Sequence, residues 1–271
     1  MGHYPLDTPP HPHHCGIILA AGESSRLLGD FHSHDVNRER LPKPFVDVKG
    51  LWITTRGMAC LATLPGLHCF ILVVPQRYLS WVKQQLPIQC KQARIHHPIE
   101  VIAGGASRAE SAHAGIAQAL KHGMPTLWIH DACRPNLTPA FVQRIANQLS
   151  QKSERCLIPV ISVVDSIKLQ TATGDVRSLP RSQLVAAQTP QIFPSAVWQE
   201  VLAQGIRAQG EGTTDDAEIV ERHGMSIFPF EGDPENFKIT YPRDLAQFCA
   251  QAQRWFQEEK GCSVTSLGSV L

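Results

Sequence analysis

Five short stretches of the sequence carry residue types suited to handling phosphates. "AAGESSR" (20–26) sets Ala20, Ala21 and Gly22 ahead of a cation, Arg26. "LPKPF" (41–45) adds Lys43. "GGASRAES" (104–111) again places small residues, Gly105 and Ala106 among them, ahead of Arg108 and Ser111. "HDACRP" (130–135) spaces a carboxylate, Asp131, three residues from Arg134, with Ala132 between, and "DPENFK" (233–238) joins Asp233 to Lys238. Small residues let backbone N–H groups face an anion, and arginine and lysine bring charge to it. Two familiar phosphate motifs are excluded. Gly22 is followed by Glu23 with no G-K-[ST] nearby, and Ser24 occupies the second glycine position of G-x-G-x-x-G.

Each stretch alone also reads as a turn or a helix cap. What joins them is their place after buried strands. "GIILA" (16–20), "CFILVV" (69–74), "IEVIAGG" (99–105), "TLWIH" (126–130) and "CLIPVISVV" (156–164) are apolar runs of strand length. Between them, 52–64, 78–86, 107–123 and 138–150 space apolar residues as helices do, with Gly123 as a stop and Thr138-Pro139 as a start. This alternation predicts a doubly wound α/β domain on a mostly parallel sheet. In such sheets ligands gather at the carboxyl ends of the strands, where these loops lie. The stretch 165–194, beginning "DSIKLQTATGDVRSLPRSQLVAAQTPQIF", breaks the rhythm and predicts a projecting β-arm. Helices at 195–204 and 214–223, a strand at 225–230 and a helix from Pro242 to about Gln257 follow. One domain, 15–257, is expected between a disordered tail (1–14) and a loose one (258–271).

With 43% hydrophobic residues, 18% charged and a net charge of +1, the chain has a sizeable core and no basic excess for nucleic acid or an anionic membrane surface. No apolar run reaches the ~20 residues of a membrane span, and the first residues lack the order of a signal peptide. The eight cysteines contain no C-x-x-C pair and read as free thiols of a cytoplasmic protein. "HPHHC" (11–15) lies in a Pro-rich setting and reads as tail, not metal site.

Taken in order, "AAGESSRLLG", "LPKPF", "AGGASRAESAHAGI", "IHDACRP", "PVISVVDSIK", "AAQTPQIF", "TTDDAEIVE" and "GDPENFKITYPRDL" resemble the motifs of the 2-C-methyl-D-erythritol 4-phosphate cytidylyltransferase family. The resemblance covers roughly residues 15–250. It implies a homodimer with an exchanged arm, and CTP, Mg2+ and a polyol phosphate as reactants. Carried over by position, it implies that Ala20, Ala21 and Gly22 lie against CTP. Gly105, Ala106 and Ser111 read the cytosine, and Asp131 and Ala132 lie near the ribose. Arg26 and Lys43 contact the triphosphate. Asp131, Arg134, Ser166, Thr189 and Lys238 surround the second substrate, and Arg181 reaches a partner's site. Asp131 is the carboxylate expected nearest the metal, with Asp233 as the lesser candidate. Asp215 and Asp216 are read as helix caps, and His130 as structural.

Two departures stand out: Ser24, and an insertion at 30–40 ahead of Lys43. They leave open a catalytically silent nucleotide-binding homologue. A sister enzyme acting on ribitol 5-phosphate is the other alternative.

Overall fold

The central strand, β1 (His14–Leu19), is apolar or small after its first residue and buried at every position. Such a run suits a parallel strand covered on both faces. The computed structural model describes residues 13–22, 42–151, 154–204 and 215–261, with side chains to 252. After β1 come a small hairpin, β2 (Asp47–Val48) and β3 (Leu51–Trp52), and then α1 (Ile53–Leu61), β4 (Leu67–Val74), α2 (Leu79–Ala93), β5 (Ile99–Ala103) and α3 (Arg108–Lys121). The second half holds β6 (Thr126–Asp131), α4 (Pro139–Gln151), β7 (Cys156–Ser162), β8 (Lys168–Gln170), β9 (Val176–Ser178), β10 (Val185–Ala187) and β11 (Gln191–Pro194). It closes with α5 (Ser195–Ala203), α6 (Asp216–Arg222), β12 (Ile227–Glu231) and α7 (Pro242–Gly261).

The main sheet runs β10-β7-β11-β6-β1-β4-β5, with β12 also on β7. β1 pairs in parallel with β4 and β6, β4 with β5, and β12 with β7. β10 and β11 run antiparallel. One apolar cluster covers the face carrying Ile18, Leu72 and Trp128, against α1, α2 and α4. Another covers Ile17, Val73 and Ile129, against α3 and α5. The α/β class and the mostly parallel sheet are as expected.

Four boundaries differ from the sequence reading. β1 starts at His14, inside the expected tail, because its imidazole packs edge-on against Trp128. α2 does not stop at Leu86 but passes through Pro87 to Ala93. The buried Gln89 beyond the proline accepts from Trp52 N and Thr55 Oγ1, so tertiary bonds hold a turn that proline disfavours. α7 continues to Gly261, beyond the expected end. Lastly, 165–194 is not all arm. Only the exposed hairpin β8–β9 stands off the main sheet. β10 pairs with β7, and β11 fills the slot between β6 and β7. Three of its four residues, Gln191, Ile192 and Phe193, are buried there through non-local pairing that no local pattern announces.

Candidate active site

Three loops at the carboxyl ends of the strands are tied together by backbone bonds. Ala20 N donates to Val73 O (2.8 Å), Gly104 N to Val74 O (2.8 Å) and Ala132 N to Leu19 O (3.1 Å). The ends of β1, β4, β5 and β6 therefore share one rim. Gly104 sets the close approach: a Cβ there would meet Ala21 Cβ and Ser111 Oγ, both at 2.6 Å. Gly105 N donates to Ser111 Oγ (3.2 Å), and Ser111 Oγ donates in turn to Ser107 O (2.8 Å). Ser107 caps α3 by accepting from Glu110 N, and Glu110 accepts from Ala106 N (2.7 Å). Thus Ala20, Ala21 and Gly22 and the loop of Gly105, Ala106 and Ser111 face each other. At Gly22 a Cβ would meet nothing within 4 Å among the described residues.

Asp131, the last residue of β6, is the centre of charge. Its Oδ1 accepts from Arg108 Nε (3.2 Å) and its Oδ2 from Lys238 Nζ (2.8 Å), with Arg134 Nε at 3.9 Å. Burial by itself pushes the Asp131 carboxyl up. Arg108, Lys238 and Arg134 outweigh this and hold it well below the usual carboxylate range. Thr189 Oγ1 accepts from Asp131 N (3.0 Å) and also lies 3.0 Å from His130 Nδ1. His130 Nε2 bonds Arg134 O (3.0 Å), and burial lowers this imidazole to about 4. His130 is a neutral strut between Thr189 and the Arg134 turn, which matches the structural role expected of it.

The 232–240 segment delivers its residues by side-chain ties. Gln188 Nε2 donates to Asp233 O (2.8 Å) and its Oε1 accepts from Asp233 N (3.0 Å). Asn236 Nδ2 donates to Thr189 O (2.8 Å), and Arg134 donates to Asn236 O (2.9 Å). Lys43, buried at the start of its turn, donates to Ile239 O (3.0 Å) and Thr240 O (3.3 Å). Its ammonium therefore lies next to the segment carrying Lys238.

Asp131, Ala132, Arg134, Thr189 and Lys238 are brought together as one group. Asp233 is not part of it: its Oδ1 accepts from Glu235 N and closes its own turn. Ser166 is exposed in the loop leading to β8. Arg181 is exposed at the base of the hairpin and donates to Val164 O (2.7 Å). No contact joins either of these to Asp131 among the described residues. Arg26, Ser24 and the insertion at 30–40 lie outside the described residues.

Two residues of the cluster, Arg108 and Asp216, take roles here that their places in the sequence do not assign. Arg108 binds Asp216 through both guanidinium nitrogens, at 3.1 and 2.9 Å, while its Nε and Nη2 hold Asp131. Asp216 is fully buried; burial pushes its carboxyl up, and the Arg108 guanidinium opposes that shift. Of the two residues read as caps, only Asp215 is one: its Oδ1 accepts from Glu218 N (3.0 Å). Asp216 instead anchors Arg108. A local signal existed, since an arginine in the first turn of a helix opposes the helix dipole and needs carboxylates elsewhere.

A rim of small residues thus borders a carboxylate wrapped by Arg108, Arg134 and Lys238, with no nucleophile–base pair in the cluster. The arrangement can hold polyphosphate and offset charge at a reacting phosphorus. Among the described residues no group of three His, Cys, Asp or Glu side chains could cage a metal ion.

Comparison with known proteins agrees with this geometry. The family model for IspD, 2-C-methyl-D-erythritol 4-phosphate cytidylyltransferase, matches residues 15–253. The 2-C-methyl-D-erythritol 4-phosphate cytidylyltransferase of Rhodococcus jostii (strain RHA1) is 33% identical over 230 residues, covering 84% of this chain and 90% of that protein. That of Nocardia farcinica (strain IFM 10152) is 34% identical over 230 residues, covering 84% and 89%. In fold, the chain is similar to the 4-diphosphocytidyl-2C-methyl-D-erythritol synthase of Anaerococcus prevotii DSM 20548, with a TM-score of 0.68 and 20% identity. That likeness covers 89% of this chain and 98% of that one. The chain is a member of the 2-C-methyl-D-erythritol 4-phosphate cytidylyltransferase family.

Proposed function

We propose that this protein transfers a cytidylyl group from CTP to 2-C-methyl-D-erythritol 4-phosphate, releasing pyrophosphate, in non-mevalonate isoprenoid biosynthesis. The observation that carries the reading is the charge cluster on Asp131: Arg108, Arg134 and Lys238 on one carboxylate, beside a rim of small residues. A phosphate oxygen of the acceptor attacks the α-phosphorus of CTP. The new P–O bond forms as the bond to the β-phosphate oxygen breaks. A phosphate dianion needs no strong base to attack, so catalysis falls to positioning and charge neutralisation. Lys43, Lys238 and Arg134 serve that end, and Arg26, outside the described residues, fills the same role by its place in the sequence. Ser111 and the Gly105 and Ala106 backbone border the base.

A magnesium ion fits this donor set as an ion held mainly by substrate phosphates, since magnesium needs only one or two carboxylates and keeps several waters. Asp131 is the carboxylate that would hold it; when bound, the ion would offset charge on the triphosphate. The reading includes a homodimer in which Arg181 and Ser166 complete a partner's site. Exposed Val164, Leu169, Val176 and Val185 around the hairpin favour such a contact. It also includes a cytoplasmic setting, supported by the seven described cysteines all being free thiols. Among the described residues no helix is long and apolar enough to cross a membrane.

The test is pyrophosphate release by purified protein with CTP and Mg2+. Release with 2-C-methyl-D-erythritol 4-phosphate and not with ribitol 5-phosphate is expected. The reverse preference would overturn the acceptor, and release with neither would overturn the activity.

A further inference from the structure

A second group of reactive side chains lies at the opposite, amino-terminal edge of the sheet. Cys15 on β1 and Cys69 on β4 are direct partners in the parallel ladder. Their Sγ atoms are 3.8 Å apart, within reach of a thiol–thiol hydrogen bond. Paired residues on neighbouring strands stand about 4.8 Å apart, inside the Cα separation that a disulfide accepts. Cys15 is fully buried, whereas Cys69 is half-buried and lines a surface cavity of about 370 Å3. Glu100 and His122 line the same cavity, and His122 Nε2 lies 2.7 Å from a Glu100 carboxylate oxygen. None of these four residues touches the Asp131 cluster.

We propose that Cys69 and Cys15 form a dithiol modification site, in which Cys69 reacts first with a small disulfide entering the cavity and Cys15 resolves the product. The balance is simple. The Cys69 thiolate attacks one sulfur of the incoming disulfide, the S–S bond breaks, and one small thiolate leaves. Cys15 sulfur then attacks Cys69 sulfur, and its proton goes to the second departing thiolate. Two protein thiols are oxidised by two electrons, and one small disulfide is reduced to two thiols.

The surroundings suit this order of events. As thiols, Cys69 donates to Cys15; once Cys69 ionises, Cys15 donates to it, and this favours the anion on Cys69. That bond and the His122 imidazole lower the Cys69 thiol to about 7, against burial and the Glu100 carboxylate. The same bond and burial push Cys15 up, which keeps it a thiol until the mixed disulfide forms. Burial instead pushes Cys60, Cys90, Cys133 and Cys156 to about 11 and raises Cys249.

The test uses the full chain, reduced, and needs no activity assay. Limited alkylation with iodoacetamide at pH 7, mapped by peptide mass, should label Cys69 about tenfold faster than Cys60, Cys90 or Cys249. Oxidised glutathione should then give a Cys15–Cys69 linked peptide, two hydrogens lighter. Cys15→Ser should stop the reaction at one glutathione on Cys69. His122→Gln, an exposed change that leaves the fold intact, should slow labelling of Cys69 alone. Labelling of Cys69 no faster than of Cys90 would overturn the proposal. So would a glutathione adduct on Cys69 of the unmodified protein that never resolves.

Discussion

At the scale of single residues, charge is held in place by more charge. Asp131 collects three cations, and one of them, Arg108, is itself fixed by the buried Asp216. Asp216→Ala leaves Arg108 without its bidentate partner and is expected to cost about 3 kcal/mol of stability, read by urea unfolding. Lys43→Ala should lower kcat by about 10²–10³-fold with the circular dichroism spectrum retained, because a cation aimed at developing charge is lost. A near-normal kcat in that folded variant would remove Lys43 from the proposed chemistry. His130 makes a pH prediction. Its imidazole takes a proton at about 6.5 when unfolded and only near 4 when folded. Between those values the unfolded chain binds more protons, so stability falls as pH falls through this window, by about 3 kcal/mol in all. His14, lowered to about 4 by burial, adds in the same direction. His130→Gln should flatten the slope of unfolding free energy against pH from 6.5 to 4; an unchanged slope would show that His130 does not titrate this way. Asp131 acts lower still, its contribution being lost only as pH drops below the ordinary carboxylate range.

At the scale of elements, strand ends are the positioning devices. The small-residue loop after β1 and the loop after β5 touch because Gly104 offers no side chain. Gly104→Ala forces Ala21 and the Ser111 hydroxyl apart, with overpacking of about 1–3 kcal/mol. The expected outcome is a several-fold rise in KM for CTP with a smaller effect on kcat, measured by initial rates. An unaltered KM would mean that the two loops do not act as one nucleotide rim. The strands that are legible in the sequence, β1, β4 and β6, each carry an unbroken apolar stretch, 17–19, 70–74 and 127–129, buried on both faces. β11 was not readable, because its polar Gln191 is satisfied by Asp215 and Ala217, far along the chain. α2 ran past Pro87 for the same kind of reason: the partner of Gln89 is Trp52 on another element.

At the scale of the whole molecule, the proposed dimer gives one more prediction. Arg181 and Ser166 stand apart from Asp131 within one chain, so they serve the proposed reaction only in a neighbour's site. Arg181→Ala subunits mixed with Lys43→Ala subunits should then restore activity in the hybrid. Each hybrid then has one site with an intact Lys43 and an Arg181 from the partner, and one site that lacks both. Complementation is expected when the arm crosses, and none when each chain uses its own Arg181.

What the sequence by itself determined was the alternation of strands and helices from β1 to β7, the edge on which their loops gather and the family motifs along it. These follow from local patterning: apolar runs, capping residues and small residues after strands are legible without knowing what lies across the sheet. Only the tertiary structure decided that Arg108 and Asp216 are joined to Asp131, that Asp233 closes its own turn, and that Cys15 faces Cys69. Those pairings span 108 residues for Arg108 and Asp216 and 54 for Cys15 and Cys69. Burial makes such contacts strong and obligatory, because a charge or polar group taken out of water must find its partner wherever the chain brings one.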